Sequence, residues 1–288
     1  MNKIIIFILS ILLVSCEEII YVDLTDNPGD FLIVEGGIYC GSYNLSRIQL
    51  TNSMAYYDNG QTPLVDSASV SISDSINNFS FKYINGFYIP DSNFIPEIGK
   101  TYTMSIKLKN GEEYIAVEKI RPLPIIDSVR CFPYISPYSK KTRYYINIYG
   151  KDIPGNDNSY EFIMYLNGII FSDTLREITF SSGIMSNSPI FKGLRPVYVL
   201  REEQLPDSVT IVIETRSISF QYYQFVNELL SQSVWRGGFF ETPPANIKSS
   251  NITPVNNTKK AFGYFTASAV RRDTVFVEKK KLFLLLNK

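Results

Sequence analysis

Along most of the chain apolar and polar residues alternate with a period of two, the pattern of strands with one buried face. Tyr102, Met104, Ile106 and Leu108 alternate with Thr101, Thr103, Ser105 and Lys107. Val70 and Ile72 alternate with serines, and Phe79, Phe81 and Tyr83 with Ser80 and Lys82. Turn signals separate the runs at Asn59-Gly60, Asn77-Asn78, Asn85-Gly86 and Asn110-Gly111. Asn-Gly accepts the left-handed backbone that a two-residue hairpin loop requires. The spacing predicts strands near 31–37, 45–51, 68–73, 79–84, 86–90, 101–108 and 113–119. Seven such strands within residues 30–121 suit an immunoglobulin-like or transthyretin-like sandwich.

Arg121-Pro122-Leu123-Pro124 interrupts the alternation, because proline lacks the amide donor that a strand ladder uses. This places a domain boundary there. Alternation returns at Ile125 to Phe132, Tyr144 to Tyr149, Tyr160 to Leu166, Val209 to Thr215 and Phe262 to Ser268, which predicts a second β domain over 122–277. From Phe220 to Val234 the apolar residues recur instead at three-and-four spacing, without Gly or Pro, and Gly237-Gly238 follows. That is a helix with a stop signal. The tail, 278–288, carries Lys279-Lys280-Lys281 before Leu282 to Leu286, is too short to span a membrane, and reads as a final strand or a frayed end. The expected fold is mostly β: two β-sandwich-like domains, the second with an inserted helix.

Residues 1–15 have a different character. A lysine at position 3 precedes an apolar run from Ile4 to Val14, well short of the roughly 20 residues a membrane-spanning helix needs. This is an export signal. It ends in Leu13-Val14-Ser15-Cys16, which resembles the lipobox of bacterial lipoproteins. By that resemblance Cys16 is the lipidated first residue of the mature chain and 16–29 a tether, while the alternative is a plain secretory signal with an incidental cysteine. Several acyl chains at about 0.8 kcal/mol per buried CH₂ would hold the protein at a membrane. Glu17-Glu18 is similar to the acidic tags that send lipoproteins of the Bacteroidetes to the outer face of the outer membrane.

Composition narrows the chemistry. Lys+Arg and Asp+Glu balance at 28 each, which argues against a nucleic-acid partner. The chain has no histidine, so Ser-His-Asp and Cys-His nucleophiles, His-ligated zinc and HExxH sites are excluded within it. No Walker A, GxGxxG, GxSxG or CxxC pattern occurs. No enzyme activity, cofactor or metal is expected, although a pair of carboxylates acting alone leaves no sequence signature. Cys40 and Cys131 form either one disulfide between the halves or two separate buried thiols.

Three candidate sites each have a plain structural reading beside the functional one. Asp152, Asn156, Asp157 and Asn158 supply oxygens of the kind calcium takes, but their spacing is not that of an EF-hand and turn chemistry explains them. Trp235, Arg236, Phe239 and Phe240 combine rings, a cation and flexible backbone in one loop, a composition typical of binding hot spots. The competing reading has these rings capping a sandwich. Asp-Ser/Thr followed by an aliphatic residue recurs at Ser67, Ser75, Ser128, Thr174, Ser208 and Thr274. The pattern resembles the O-glycosylation acceptor of exported Bacteroidetes proteins, and a turn entering a strand would enrich the same triplet. The abundant tyrosines read as strand composition rather than a carbohydrate platform.

The order of several short motifs resembles one family. They are the lipobox, Leu32-Ile33-Val34-Glu35-Gly36, Ala68-Ser69-Val70-Ser71-Ile72, Gly86-Phe87-Tyr88 and Gly99-Lys100-Thr101-Tyr102 in the first half. In the second half they are Asp152-Ile153-Pro154-Gly155, Asn158-Ser159-Tyr160, Pro243-Pro244-Ala245-Asn246-Ile247 and Ala261-Phe262-Gly263-Tyr264-Phe265. Together they resemble the Bacteroidetes lipoprotein family catalogued as domain of unknown function 4249. The resemblance implies location and company: an outer-membrane lipoprotein facing the cell exterior, partnered with a TonB-dependent transporter in nutrient capture, its ligand unspecified. It carries no catalytic residue. The alternatives are a structural or adhesive surface lipoprotein without a transporter, and an enzyme working through carboxylates alone.

Overall fold

A computed structural model describes residues 31–41, 46–54, 60–91, 94–151, 153, 158–172, 178–182, 197–235, 246–256 and 258–284 of the 288. The export signal, Cys16 and the tether lie outside the described residues. In the first half every expected strand forms: β1 (Leu32–Cys40), β2 (Arg47–Asn52), β3 (Ser69–Ser73), β4 (Asn78–Ile84), β5 (Phe87–Pro90), β6 (Thr101–Lys107) and β7 (Glu113–Lys119). They run antiparallel in the order β1-β2-β5-β4-β3-β6-β7. Asn85 and Gly86 make the β4–β5 turn with φ of 51° and 88°, as the dipeptide predicts. The β3–β4 turn is built by Asp74 rather than by Asn77-Asn78. Its Oδ1 accepts the amides of Ile76 and Asn77 at 3.1 and 2.7 Å, and these donors, the Asn77 amide foremost, hold the carboxyl down to about 2.

The second half contains β8 (Ile125–Ile135), β9 (Thr142–Lys151), β10 (Ser159–Leu166), β11 (Ile169–Ile170), β12 (Thr179–Ser182), β13 (Val197–Arg201) and β14 (Ser208–Ile218). Helix α1 (Phe220–Val234), β15 (Thr253–Pro254), β16 (Phe262–Glu278) and helix α2 (Lys279–Leu284) follow. Strands β13, β9 and β8 form their own three-stranded sheet, and the others belong to one large sheet. Helix α1 has the predicted limits. Ser219 caps it, accepting the Tyr222 amide at 3.1 Å. Gly237-Gly238, the expected stop, lies outside the described residues. The tail expected to be a strand or frayed end is helical over α2, because Leu282 buries itself in the second core.

The largest departure from expectation concerns the division of the chain. Strand β16 first runs parallel to β1, from Ile33↔Phe262 to Cys40↔Ala269, and then antiparallel to β14, from Arg216↔Val270 to Ser208↔Glu278. Ala261, Phe265, Ala267 and Ala269 are therefore core residues of the first half, packed with Leu32, Val34 and Ile38. The boundary at 121–124 does not separate two self-contained segments. A period of two records that a strand has a buried face, not which strand it pairs with. The first-half sheet also turns back on itself, since Arg121 forms a parallel bridge to Ser268 of β16.

The second core lies between the three-stranded sheet and the β10-β14-β16 part of the large one. It contains Tyr144, Ile146 and Ile148 from one layer and Phe162, Ile211 and Val277 from the other. A third cluster, Phe225 and Val226 of α1 on Tyr264, packs the helix on the opposite face of β16 from Phe265. Cys40 packs against the first core and Cys131 sits inside the second. Both thiols are free, Cys131 buried and Cys40 half-buried. Burial pushes the Cys131 thiol up to about 11.

Strands β1 and β16 approach closely at Gly263, where φ is 92° and a Cβ would overlap the carbonyl of Val34. Gly263→Ala is expected to lose about 1–3 kcal/mol from backbone strain, with more from displacement of β1. Urea unfolding of the two chains measures it, and equal midpoints would refute the pairing.

Candidate binding face

Where β7, α1 and β16 meet, one carboxylate joins them. Glu118 is buried, and its Oε2 accepts the Ser219 hydroxyl at 2.7 Å and the Tyr264 hydroxyl at 3.0 Å. Its Oε1 accepts the Arg121 guanidinium at 2.9 Å and the Lys119 amide at 3.0 Å. Burial, with Glu118 alongside, raises the Tyr264 hydroxyl above the usual tyrosine range. A cleft of about 340 Å³ opens beside this group, lined among others by Thr101, Val117, Lys119, Phe220 and Gln221. The carboxylate at its base is already taken up by the fold. This arrangement positions a helix, and it offers the cleft no acceptor.

A second polar group lies on the face of β10-β14-β16 that carries α1. Register puts Glu161 opposite Arg216 and Glu214 opposite Arg272. Arg216 donates to Glu161 at 3.2 Å and to Glu214 at 2.7 Å, and Arg272 donates to the other Glu214 oxygen at 2.7 Å. The guanidiniums also stack, Arg216 on Tyr39 at 5.0 Å and Arg272 on Tyr165 at 5.2 Å. Burial raises the Glu161 carboxyl despite Arg216 beside it, with Glu214 pushing the same way. Burial also opposes the Arg216 charge, but Tyr39, Glu161 and Glu214 outweigh it and raise its pKa. Each buried charge has its counter-charge, as a structural network requires.

The three-stranded sheet presents a different surface. Cys131, Tyr144, Ile146, Tyr198 and Leu200 point into the second core, so the alternate residues face outward. Register sets Phe132, Tyr145 and Val199 in one row and Tyr134, Arg143 and Arg201 in the next. Phe132 is 37%, Tyr134 46% and Val199 48% exposed. Tyr134 meets Tyr145 edge-on, with centroids 5.6 Å apart at 83°, and Arg130 sits over Tyr149 at 5.4 Å. Asn147 donates to the Tyr149 hydroxyl at 3.3 Å. At the β8–β9 hairpin tip Tyr138 is 96% exposed. Arg201 at the edge of this surface pairs with Glu203 at 3.3 Å, while the rings with Arg130 and Arg143 have the make-up of an interface centre.

Of the residues singled out from sequence, Trp235 is described and stands 44% exposed at the end of α1, while Arg236, Phe239 and Phe240 lie outside the described residues. Asn158 donates to the Ile153 carbonyl at 2.8 Å, and Asp152, Asn156 and Asp157 lie outside them too. Ser67, Ser75, Ser208 and Thr274 are exposed, Ser128 is half-buried, and Thr174 is not described. Turn chemistry accounts for Asp74-Ser75, where Ser75 has φ 75°. It does not account for Asp273-Thr274, which sits inside β16. The outward face of β8-β9 was not singled out. Its signal is adjacent rings and apolar residues at Cys131-Phe132 and Tyr144-Tyr145, which fill both faces of a strand instead of one.

A mostly β chain with this face and these buried polar seams is the setting for comparison with known proteins. The chain belongs to the family described as Domain of unknown function (DUF4249), whose model matches residues 17–274. No curated protein matches it.

Removing one cation tests the buried network. Arg216→Ala strips Glu161 of its guanidinium and leaves Glu214 with Arg272 alone, at an expected cost of about 3–5 kcal/mol. The raised Glu161 carboxyl fixes the sign with pH. Protonation relieves the ionised, unpaired form, so the loss is smaller at mildly acidic pH than at alkaline pH. Denaturant midpoints of the two chains across pH check it, and a loss independent of pH would contradict the assignment.

Proposed function

We propose that the protein is a binding lipoprotein, held through acyl chains on Cys16 at the outer membrane and facing the exterior, where it serves a TonB-dependent transporter in nutrient capture. The observation that supports it is the outward face of the three-stranded sheet, where Phe132, Tyr134 and Val199 stay exposed beside Arg130 and Arg143. Exposed rings gathered on one rigid face cost a soluble chain solubility, and a partner that covers them explains their place. In this reading the fold is two β-sandwich-like units, the first immunoglobulin-like or transthyretin-like, sharing β16. Ser67, Ser75, Ser208 and Thr274, exposed as acceptors must be, carry glycans.

Two measurements on protein from its native host test these statements. Tagged chain extracted from outer membranes in mild detergent should recover a near-stoichiometric TonB-dependent transporter, and the Cys16→Ala chain should recover none. Recovery of the lipoprotein alone would sink the partnership and favour a structural or adhesive role. Intact-mass analysis should show glycan masses above those of polypeptide and lipid. A mass equal to polypeptide plus lipid would remove the glycans.

A further inference from the structure

We infer that the β8–β9 hairpin docks an acidic protein surface, at the end of β16 opposite Phe31. This rests on the binding-protein reading and names the chemistry of the partner. Residues 125–151 carry five cations, Arg130, Lys140, Lys141, Arg143 and Lys151, against the single acid Asp127. The chain as a whole is neutral, so this hairpin is locally positive, and of the adjoining strand's charges Arg201 is already paired with Glu203 at 3.3 Å. Its rings and arginines lie on one rigid sheet face, and its lysines lie at the tip and the far end. A complementary partner has acidic groups around an apolar centre.

Geometry selects among anionic partners. Strand β16 has 17 residues, about 50 Å at roughly 3.3 Å each. Its start pairs with β1, where the chain enters from the tether, and its end runs into α2. Lys279 of α2 lies 5.5 Å from the ring of Tyr144, close to the hairpin tip, and α2 packs on β8. The tip and Phe31, the first described residue, therefore lie toward opposite ends of β16. The Tyr134, Tyr145 and Tyr149 rings do not form a sugar platform, since Tyr134 and Tyr145 stand edge-on and Arg130 covers Tyr149. A second copy anchored in the same leaflet would present the same cations at the same height, and like charges repel.

The test uses the full chain purified in detergent and a labelled poly(Glu,Tyr) copolymer, read by fluorescence anisotropy at low and high salt. The expected result is binding that weakens with salt, and that falls about tenfold or more in the Arg130→Glu/Arg143→Glu chain and in Phe132→Ser/Tyr134→Ser. Lys82→Glu, on β4, should bind as the parent does. Should the double charge reversal not fold, Arg130→Gln/Arg143→Gln replaces it, with the same fall expected. Equal binding by parent and arginine variants would overturn the inference, as would tighter binding to a uronate polymer or to phosphatidylglycerol vesicles. The two readings fail separately. A transporter recovered equally with parent and Arg130→Glu/Arg143→Glu chains refutes the docking face and keeps the accessory role. Copolymer binding lost in the variants, with no transporter recovered, does the reverse.

Discussion

One strand has to satisfy two sheets at once, and the arrangement of the molecule follows from that constraint. Residues of one parity in β16, Phe265, Ala267 and Ala269, fill the first core, and Val275 and Val277 meet the second. Arg271 and Asp273 share this parity but fall in the gap between the cores. There they pair at 3.0 Å, and Arg271 donates to the Ile126 carbonyl at 3.3 Å. The other parity carries Tyr264 under α1 and Arg272 in the ion network. A slip of one residue would turn Phe265 out of the first core and take Arg272 off the ion network, so the register is tightly held.

The buried polar groups lie along the seam this strand creates. Glu118 is joined to Ser219 across 101 residues of chain and to Tyr264 across 146. Such a group contributes little net stability against an apolar replacement, because removing it from water costs nearly what its hydrogen bonds return. What it supplies is direction: a hydroxyl donor at Ser219 fixes where α1 starts, and so which face of the sheet the helix covers. The Glu161-Arg216-Glu214-Arg272 set does the same on that face, where a purely apolar seam would tolerate sliding.

Local elements were legible in the sequence, while their partners were not. The seven first-half strands and α1 follow from periodicity, because burial on one face is written residue by residue. Strands β11, β12, β13 and β15 were missed. The first and last have two residues each, too few for a pattern, although Asn167-Gly168, which turns β10 into β11 with φ of 50° and 80°, is the same hairpin dipeptide as Asn85-Gly86. The boundary at Pro122–Pro124 was a true break in pattern but not in the fold, since the pairing that crosses it comes from more than 220 residues along the chain. The candidate face was hidden for a related reason. Outward rings on β8 and β9 look like ordinary strand residues until the inward set is known.

The return of β16 to β1 also sets a time order. Until Phe262 and the residues after it have been made, β1 has no partner on one of its sides and the first core lacks Phe265. At about 5–20 residues per second, the interval between synthesis of Cys40 and of Phe262 is roughly 10–45 s. Throughout it the first half is an open sheet, with an edge that other chains can join. The molecule therefore closes late and from its C-terminal end. Late closure leaves the first half without its covering strand for most of the time the chain is being made.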